Sequence, residues 1–159
     1  MPVQSSGLLL YRRQTGTVEI LIGHMGGPFW ARKHEHAWSI PKGIHDDDET
    51  DALAVAEREF AEELGRPAPP GESHELGSVT AGRKRITIFA REGDFDADAI
   101  VSNTFELEWP RGSGTMVAFP EIDRAAWVSL DEATSLLTKG QQKFIDRLRA
   151  TLDGHQSVG

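Results

Sequence analysis

Glu59, Glu62 and Glu63 follow Arg58 in the run REFAEELG, midway along the chain. In a helix Glu59 and Glu63 stand at i and i+4, and Glu62 at i+3 from Glu59, so the three carboxylates share one edge. Like charges at that spacing repel by roughly a few tenths of a kcal/mol per pair, and the edge asks for a counter-ion. Clustered hard oxygen donors suit Mg²⁺ or Mn²⁺, ions that also bridge phosphate oxygens. The chemistry within reach is the capture of a phosphate through a bound divalent ion. An acidic cluster alone reads as a solvated helix face, so the surrounding elements must decide.

From Glu49 to Leu64 the apolar period is helical, with Leu53, Ala56, Phe60 and Leu64 on one stripe. Asp48 is expected to cap the start, and Gly65 with Pro67 to stop the end. The aspartates Asp46 to Asp48 read as loop and N-cap rather than as ligands. Upstream, Ser6 to Arg12 and Thr17 to Gly23 form an expected hairpin around QTG, and Trp38 to Ile40 a short strand stopped by Pro41. The loop from His24 to Ala37 carries Arg32, Lys33, His34 and His36, which either help hold a polyphosphate near a metal or are simply solvated, as exposed loop His and Lys residues usually are. The histidines lack zinc-protease spacing, and Gly112-Ser113-Gly114 is too short for a phosphate loop.

After RPAPPGE, the runs HELGSVTA and RITIFARE form a second expected antiparallel pair turning at AGRK. Short strands are expected around Met116 to Phe119 and Ala126 to Val128. Helices are expected from Leu130 to Thr138, capped by Ser129, and from Gln141 to Leu152, with residues 153–159 as a frayed tail. This order fits the α/β (α+β) class, a mixed sheet between helices.

At 159 residues the chain reads as one domain spanning 1–159. It has no cysteine, which excludes disulfides and thiolate metal sites and suits a reducing interior. MPVQSSGLLLYRR has neither the basic start nor the apolar length of a signal peptide, and no window spans a membrane, so a cytoplasmic location is expected. A formal charge of −8 disfavours nucleic acid as a partner, and a polyphosphate substrate needs a cation as mediator.

The segment Gly43 to Gly65 resembles the Nudix hydrolase box, G-x₅-E-x₇-R-E-U-x-E-E-x-G-U, through Gly43, Glu49, Arg58, Glu59, Phe60, Glu62, Glu63 and Gly65. Two departures stand out: eight residues rather than seven separate Glu49 from Arg58, and Arg66 replaces an apolar residue. One added residue turns a helix start by about 100°, so a bulge or an earlier loop must absorb it. The order of elements resembles a Nudix domain across nearly the whole chain, implying an α/β/α sandwich with a mixed sheet. GGPFWARK, WSIPKG, SNTFELEWP and FPEIDRAAW resemble a bacterial subgroup described as predicted nucleoside triphosphate pyrophosphohydrolases.

The resemblance implies Glu59, Glu62, Glu63 and the Gly43 carbonyl as ligands of Mg²⁺, with Mn²⁺ the alternative. Glu62 is a further ligand or the base for water, and Arg58 orients the glutamates through Glu49. It implies hydrolysis of a nucleoside diphosphate linked to a group X, with nucleoside triphosphates or dinucleoside polyphosphates favoured. Lys42, Arg32 and Lys33 are candidate substrate contacts. Phe29, Trp30 and Trp109 either stack on a base or join the core. A further glutamate from outside the box is expected among Glu106, Glu108 and Glu121. The alternatives are a nucleotide-sensing module of the same fold, or pyrophosphate removal from RNA 5′ ends, for which a more basic surface is expected. Monomer and homodimer both remain open.

Overall fold

The computed structural model describes residues 2–157, with side chains described through residue 154. The chain opens with the strands β1 (Val3–Gln14) and β2 (Thr17–Met25). Thr15 and Gly16 join them with φ of 46° and 78°, the left-handed pair that matches the twist of a two-residue hairpin. The two strands pair only over Tyr11 to Gln14 against Thr17 to Ile20, then part. The WSIPKGI segment fills the gap: β3 (Trp38–Ser39) pairs with β2, and β4 (Lys42–Ile44) pairs with β1. Pro41, which cannot donate to a ladder, sits between them.

After α1 (Ala52–Leu64) come β5 (Ser73–Ala81) and β6 (Lys84–Glu92). They form the expected antiparallel pair, and β6 lies parallel to β1 from Val3 to Tyr11. A two-stranded ribbon of β7 (Thr104–Glu108) and β8 (Met116–Pro120) stands off the main sheet. The final strand β9 (Ile122–Ser129) returns to the free edge of β2. The helices α2 (Leu130–Leu136) and α3 (Lys143–Ser157) complete the chain.

Alternation along β1 builds both layers. Leu8 and Leu10 face Phe60 and Leu64 of α1, while Leu9 and Tyr11 face Leu136, Phe144 and Leu148 of α2 and α3. Each fully buried Leu or Phe contributes roughly 1.5–3 kcal/mol, so these stripes fix which way α1 faces. The result is an α/β/α sandwich around a mixed sheet.

The main correction concerns the start of α1. The N-cap is Asp51, whose carboxylate accepts from the Leu53 and Ala54 amides at 3.1 and 3.2 Å. Asp48 and Glu49 therefore lie in the loop, and the added residue of the box is absorbed before the helix begins. Val55 is fully buried, whereas Leu53, expected on the stripe, is only partly so. At the other end, Gly65 adopts φ 86°, the left-handed terminator.

Two further differences follow from long-range demands. The last helix starts at Lys143 rather than Gln141. Gln141 instead ends a short 3₁₀ turn, Lys139–Gln141, from which its buried side chain accepts from the Ile40 amide at 2.8 Å and donates to Ser39 Oγ at 2.9 Å. That helix also continues through Asp153 to Ser157, which the sequence reading assigns to a frayed tail; Val158 and Gly159 lie outside the described residues. None of the described helices is long and apolar enough to cross a membrane.

Candidate active site

The Gly43 strand and the acidic edge of α1 meet closely. A Cβ at Gly43 would overlap the Glu59 carboxylate, so only glycine lets that carboxylate rest against the strand. The Gly43 carbonyl accepts from the buried Ser5 hydroxyl at 3.0 Å, which fixes its direction. The adjacent Ser6 hydroxyl meets His45 Nε2 at 2.7 Å, and the His45 amide donates to the Gln4 carbonyl at 2.9 Å. β1 thus moors the start of the loop that leads into α1.

Arg58 organises the carboxylates. Its Nη2 and Nε donate to the two oxygens of Glu49 at 2.6 and 2.9 Å, a bidentate pair. Its Nη1 donates to Glu59 and to Glu62, each at 3.0 Å. Glu49 reaches Arg58 despite the added residue because it is a loop residue, anchored by the Asp46 amide at 2.8 Å. Glu63 turns the other way and accepts from the Lys42 amide at 3.3 Å.

Lys42, Gly43, Glu59, Glu62 and Glu63 line a cavity of about 370 Å³ with Glu121, Lys84, Asn103, Met25, Ile44 and Ile122. A larger cavity of about 620 Å³ lies toward the far end of β1, between Arg12, Arg66, Phe95 and Trp127. Arg12 stacks there at 4.2 Å over Trp127, and Arg66 at 4.9 Å over Phe95. Its acidic groups are the aspartates Asp94, Asp96 and Asp98, and Asp94 is already neutralised by Arg12 at 2.9 Å. The smaller cavity, with the glutamates, is the candidate active site.

Its electrostatics are strained. Burial pushes the Glu63 carboxyl up to about 8 against a partial offset from Lys42, with Glu59 and Glu121 adding to the rise. Burial, then the Glu62 charge, raises Glu59. Lys42 is lowered by burial and next by the charge of Lys84. Glu49 is held below the usual carboxylate range by its hydrogen bonds to Arg58, and Arg58 is raised in turn. Carboxyls that burial and mutual repulsion both raise form a hard-oxygen donor set, and a divalent cation would relieve both burdens. Among the described residues, no three His, Asp or Glu side chains are grouped closely enough to hold one ion. Arg58 spans Glu59 and Glu62, while Glu63 faces Lys42.

Of the sequence candidates, Gly43, Glu59, Glu62, Glu63 and Lys42 line the cavity, and Arg58 stands behind the glutamates. Arg32 and Lys33 lie outside that lining: the Lys33 ammonium sits 5.2 Å from the Trp30 ring centre, and its carbonyl is bound to His24 Nε2 at 2.7 Å. Phe29 meets Trp109 edge-on at 5.6 Å away from the cavity, and Trp30 packs on the core. The outside glutamates separate cleanly. Glu121 lines the cavity, whereas Glu106 lies within β7 outside the lining, and Glu108 accepts from the Gly112 amide at 2.7 Å in the ribbon's own turn. Lys84 was not foreseen, because only the β1–β6 register brings it here.

The model of the NUDIX domain family matches residues 1–148. Curated proteins give no match. Among solved structures, a C. elegans Ap4A hydrolase binary complex is similar over 96% of this chain and 98% of its own, with 21% identity and a TM-score of 0.66. The NUDIX domain of Shewanella oneidensis NrtR complexed with ADP ribose covers 96% and 89%, with 14% identity and a TM-score of 0.65. A MutT protein from Methanosarcina mazei Go1 covers 94% of each chain, with 19% identity and a TM-score of 0.59. At these identities the structures speak to the shared fold alone.

Proposed function

The chain belongs to the NUDIX domain family, and from that premise we propose that this Nudix pyrophosphohydrolase uses a divalent cation to cleave nucleoside triphosphates or dinucleoside polyphosphates. The observation that carries the reading is one cavity lined by Glu59, Glu62, Glu63, Glu121 and Gly43 beside Lys42, with the glutamate edge ordered by Arg58 and Glu49. Glu59, Glu63, Glu62 and the Gly43 carbonyl would hold the ion, Mg²⁺ in the first instance. When bound, the ion neutralises phosphate charge and supplies a water of lowered pKa.

The protein's own groups do the rest. Arg58 keeps Glu59 and Glu62 turned to one side, and Ser5 holds the Gly43 carbonyl in place. Lys42 contacts substrate phosphate from the cavity wall, where burial opposes its charge and an arriving anion favours it. Glu62, the most exposed of the three helix glutamates, or Glu121 across the cavity takes the proton from water attacking phosphorus. The similar structures include an Ap4A hydrolase and a NUDIX domain complexed with ADP ribose, and the favoured substrates here share the phosphoanhydride of Ap4A and ADP ribose.

The test is product release across nucleoside triphosphates, dinucleoside polyphosphates, nucleotide sugars and ADP-ribose, with Mg²⁺ and with chelator, beside Glu63→Gln. Metal-dependent turnover that falls at least about 10²-fold in the variant is expected. Near-normal rates in the variant would refute the site. Binding without turnover in the wild-type protein would turn the reading to a nucleotide sensor.

A further inference from the structure

Glu49 holds Arg58, yet α1 does not hold Glu49. The first main-chain bond of that helix runs from the Val55 amide to the Asp51 carbonyl at 3.1 Å, so Glu49 and Thr50 precede its ladder. Eight residues separate Glu49 from Arg58, and the carboxylate still meets the guanidinium as a bidentate partner at 2.6 and 2.9 Å. Its place must be fixed from outside the helix.

Residues 45–49 close into a compact turn. The Glu49 amide donates to the Asp46 carbonyl at 3.0 Å, and the Asp46 amide donates to Glu49 Oε1 at 2.8 Å. Asp47 and Asp48 are exposed, and their side chains bond nothing among the described residues. Such a turn keeps its own shape but not its position on the sheet. His45 supplies the position. Its amide donates to the Gln4 carbonyl at 2.9 Å, its Nε2 meets the Ser6 hydroxyl at 2.7 Å, and its Nδ1 lies 3.4 Å from the Glu49 carbonyl. Ser6 is fully buried on β1, opposite Gly43. The Glu49 carbonyl can only accept, so Nδ1 carries a hydrogen, and in the neutral ring Nε2 is left to accept from Ser6. One planar ring thus spans from the sheet to the main chain of the residue that grips Arg58. Among the described residues, no other side chain of the turn reaches a strand.

Arg58 divides its donors. Nε and Nη2 go to Glu49, and Nη1 goes to Glu59 and Glu62. Without Glu49 in place, the guanidinium keeps only Glu59 and Glu62 as strong partners, and these are two of the carboxylates a cation needs. Resting on the hydrolase reading for the identity of the ion's ligands, we propose that His45, seated on Ser6, is a positioning residue that acts through Glu49 and Arg58 to keep Glu59 and Glu62 free for the divalent ion.

The experiment follows hydrogen exchange of the Arg58 Nε–H by NMR in the metal-free protein, and Mg²⁺ binding by calorimetry. Wild type, Ser6→Ala, His45→Ala, the double variant and Glu49→Gln are compared, with the Arg58 signal assigned by its loss in Arg58→Lys. In His45→Ala the Nε–H should exchange at least about tenfold faster than in wild type, approaching Glu49→Gln, and Mg²⁺ should bind about tenfold more weakly. Ser6→Ala, which leaves the buried position filled, should move both readouts the same way by less. The double variant should match His45→Ala, because the hydroxyl acts only through the ring. A purely structural role would lower the melting midpoint and leave the Arg58 signal alone. An unchanged signal in His45→Ala, additive losses in the double variant, or Mg²⁺ affinity equal to wild type would overturn the proposal. Protein that turns over no nucleotide while both readouts respond removes the hydrolase and leaves the link standing. Turnover with neither readout responding does the reverse.

Discussion

Replacing Glu63 with glutamine should make the metal-free protein more stable in alkaline solution, although it removes a proposed ligand. The Glu63 carboxyl is pushed up to about 8 in the folded protein from an ordinary value of 4.5. Below the ordinary value both folded and unfolded chains hold the proton, and the group costs nothing. As pH rises the unfolded chain releases it first, so stability falls across the window from about 4.5 to about 8 and the full cost persists above. At about 1.36 kcal/mol per unit, the cost is on the order of 5 kcal/mol as an upper figure, since water entry relaxes it. Glutamine never ionises and escapes the cost. For a chain of 159 residues, each kcal/mol moves the melting midpoint by about 2–4 °C. Melting curves in chelator should show Glu63→Gln close to wild type at pH 5 and higher by about 10 °C at pH 9. Mg²⁺ should close the gap by stabilising wild type alone, since an ion bound only to the folded state adds to its stability. A variant less stable than wild type at pH 9 without metal, or a gap that ignores pH, would refute the reasoning.

Two further outcomes follow from local geometry. Gly43→Ala places a methyl on the Glu59 carboxylate, and by displacing it should lower metal-dependent turnover at least about 10²-fold while costing less than about 1 kcal/mol of stability, as read by steady-state rates and urea unfolding. Asp51→Ala removes the cap that binds the Leu53 and Ala54 amides and should cost about 1 kcal/mol in urea unfolding, whereas Asp48→Ala should cost far less.

The acidic edge was legible because helix periodicity and side-chain spacing are local facts. REFAEELG dictates where Arg58, Glu59, Glu62 and Glu63 point once Phe60 and Leu64 are buried. The cap was not, since Asp46, Asp47, Asp48, Thr50 and Asp51 are all competent by type and only the Glu49–Arg58 pair and the seat at Gly43 select among them. Glu121 could be named only as one of three candidates, because its place depends on β9 reaching the edge of β2 some hundred residues away in sequence. Lys84 carried no local signal at all: it is a turn residue until β6 lies parallel to β1. Gln141 likewise looks like a first helical residue until Ile40 needs an acceptor.

The ribbon of β7 and β8 closes on itself at its base. Asn103 donates its amide to the Glu62 carbonyl at 2.9 Å, and the Glu121 amide returns to the Asn103 carbonyl at 2.9 Å. Both are main-chain bonds, indifferent to the side chains above them, so the seventeen positions from Thr104 to Pro120 form a cassette clipped to the end of the acidic helix. Exchange of that cassette, or a change in the length of its turn, leaves the Asn103–Glu121 clasp and the glutamates where they are. The fold thereby separates the part of the molecule free to diversify from the part that must not move.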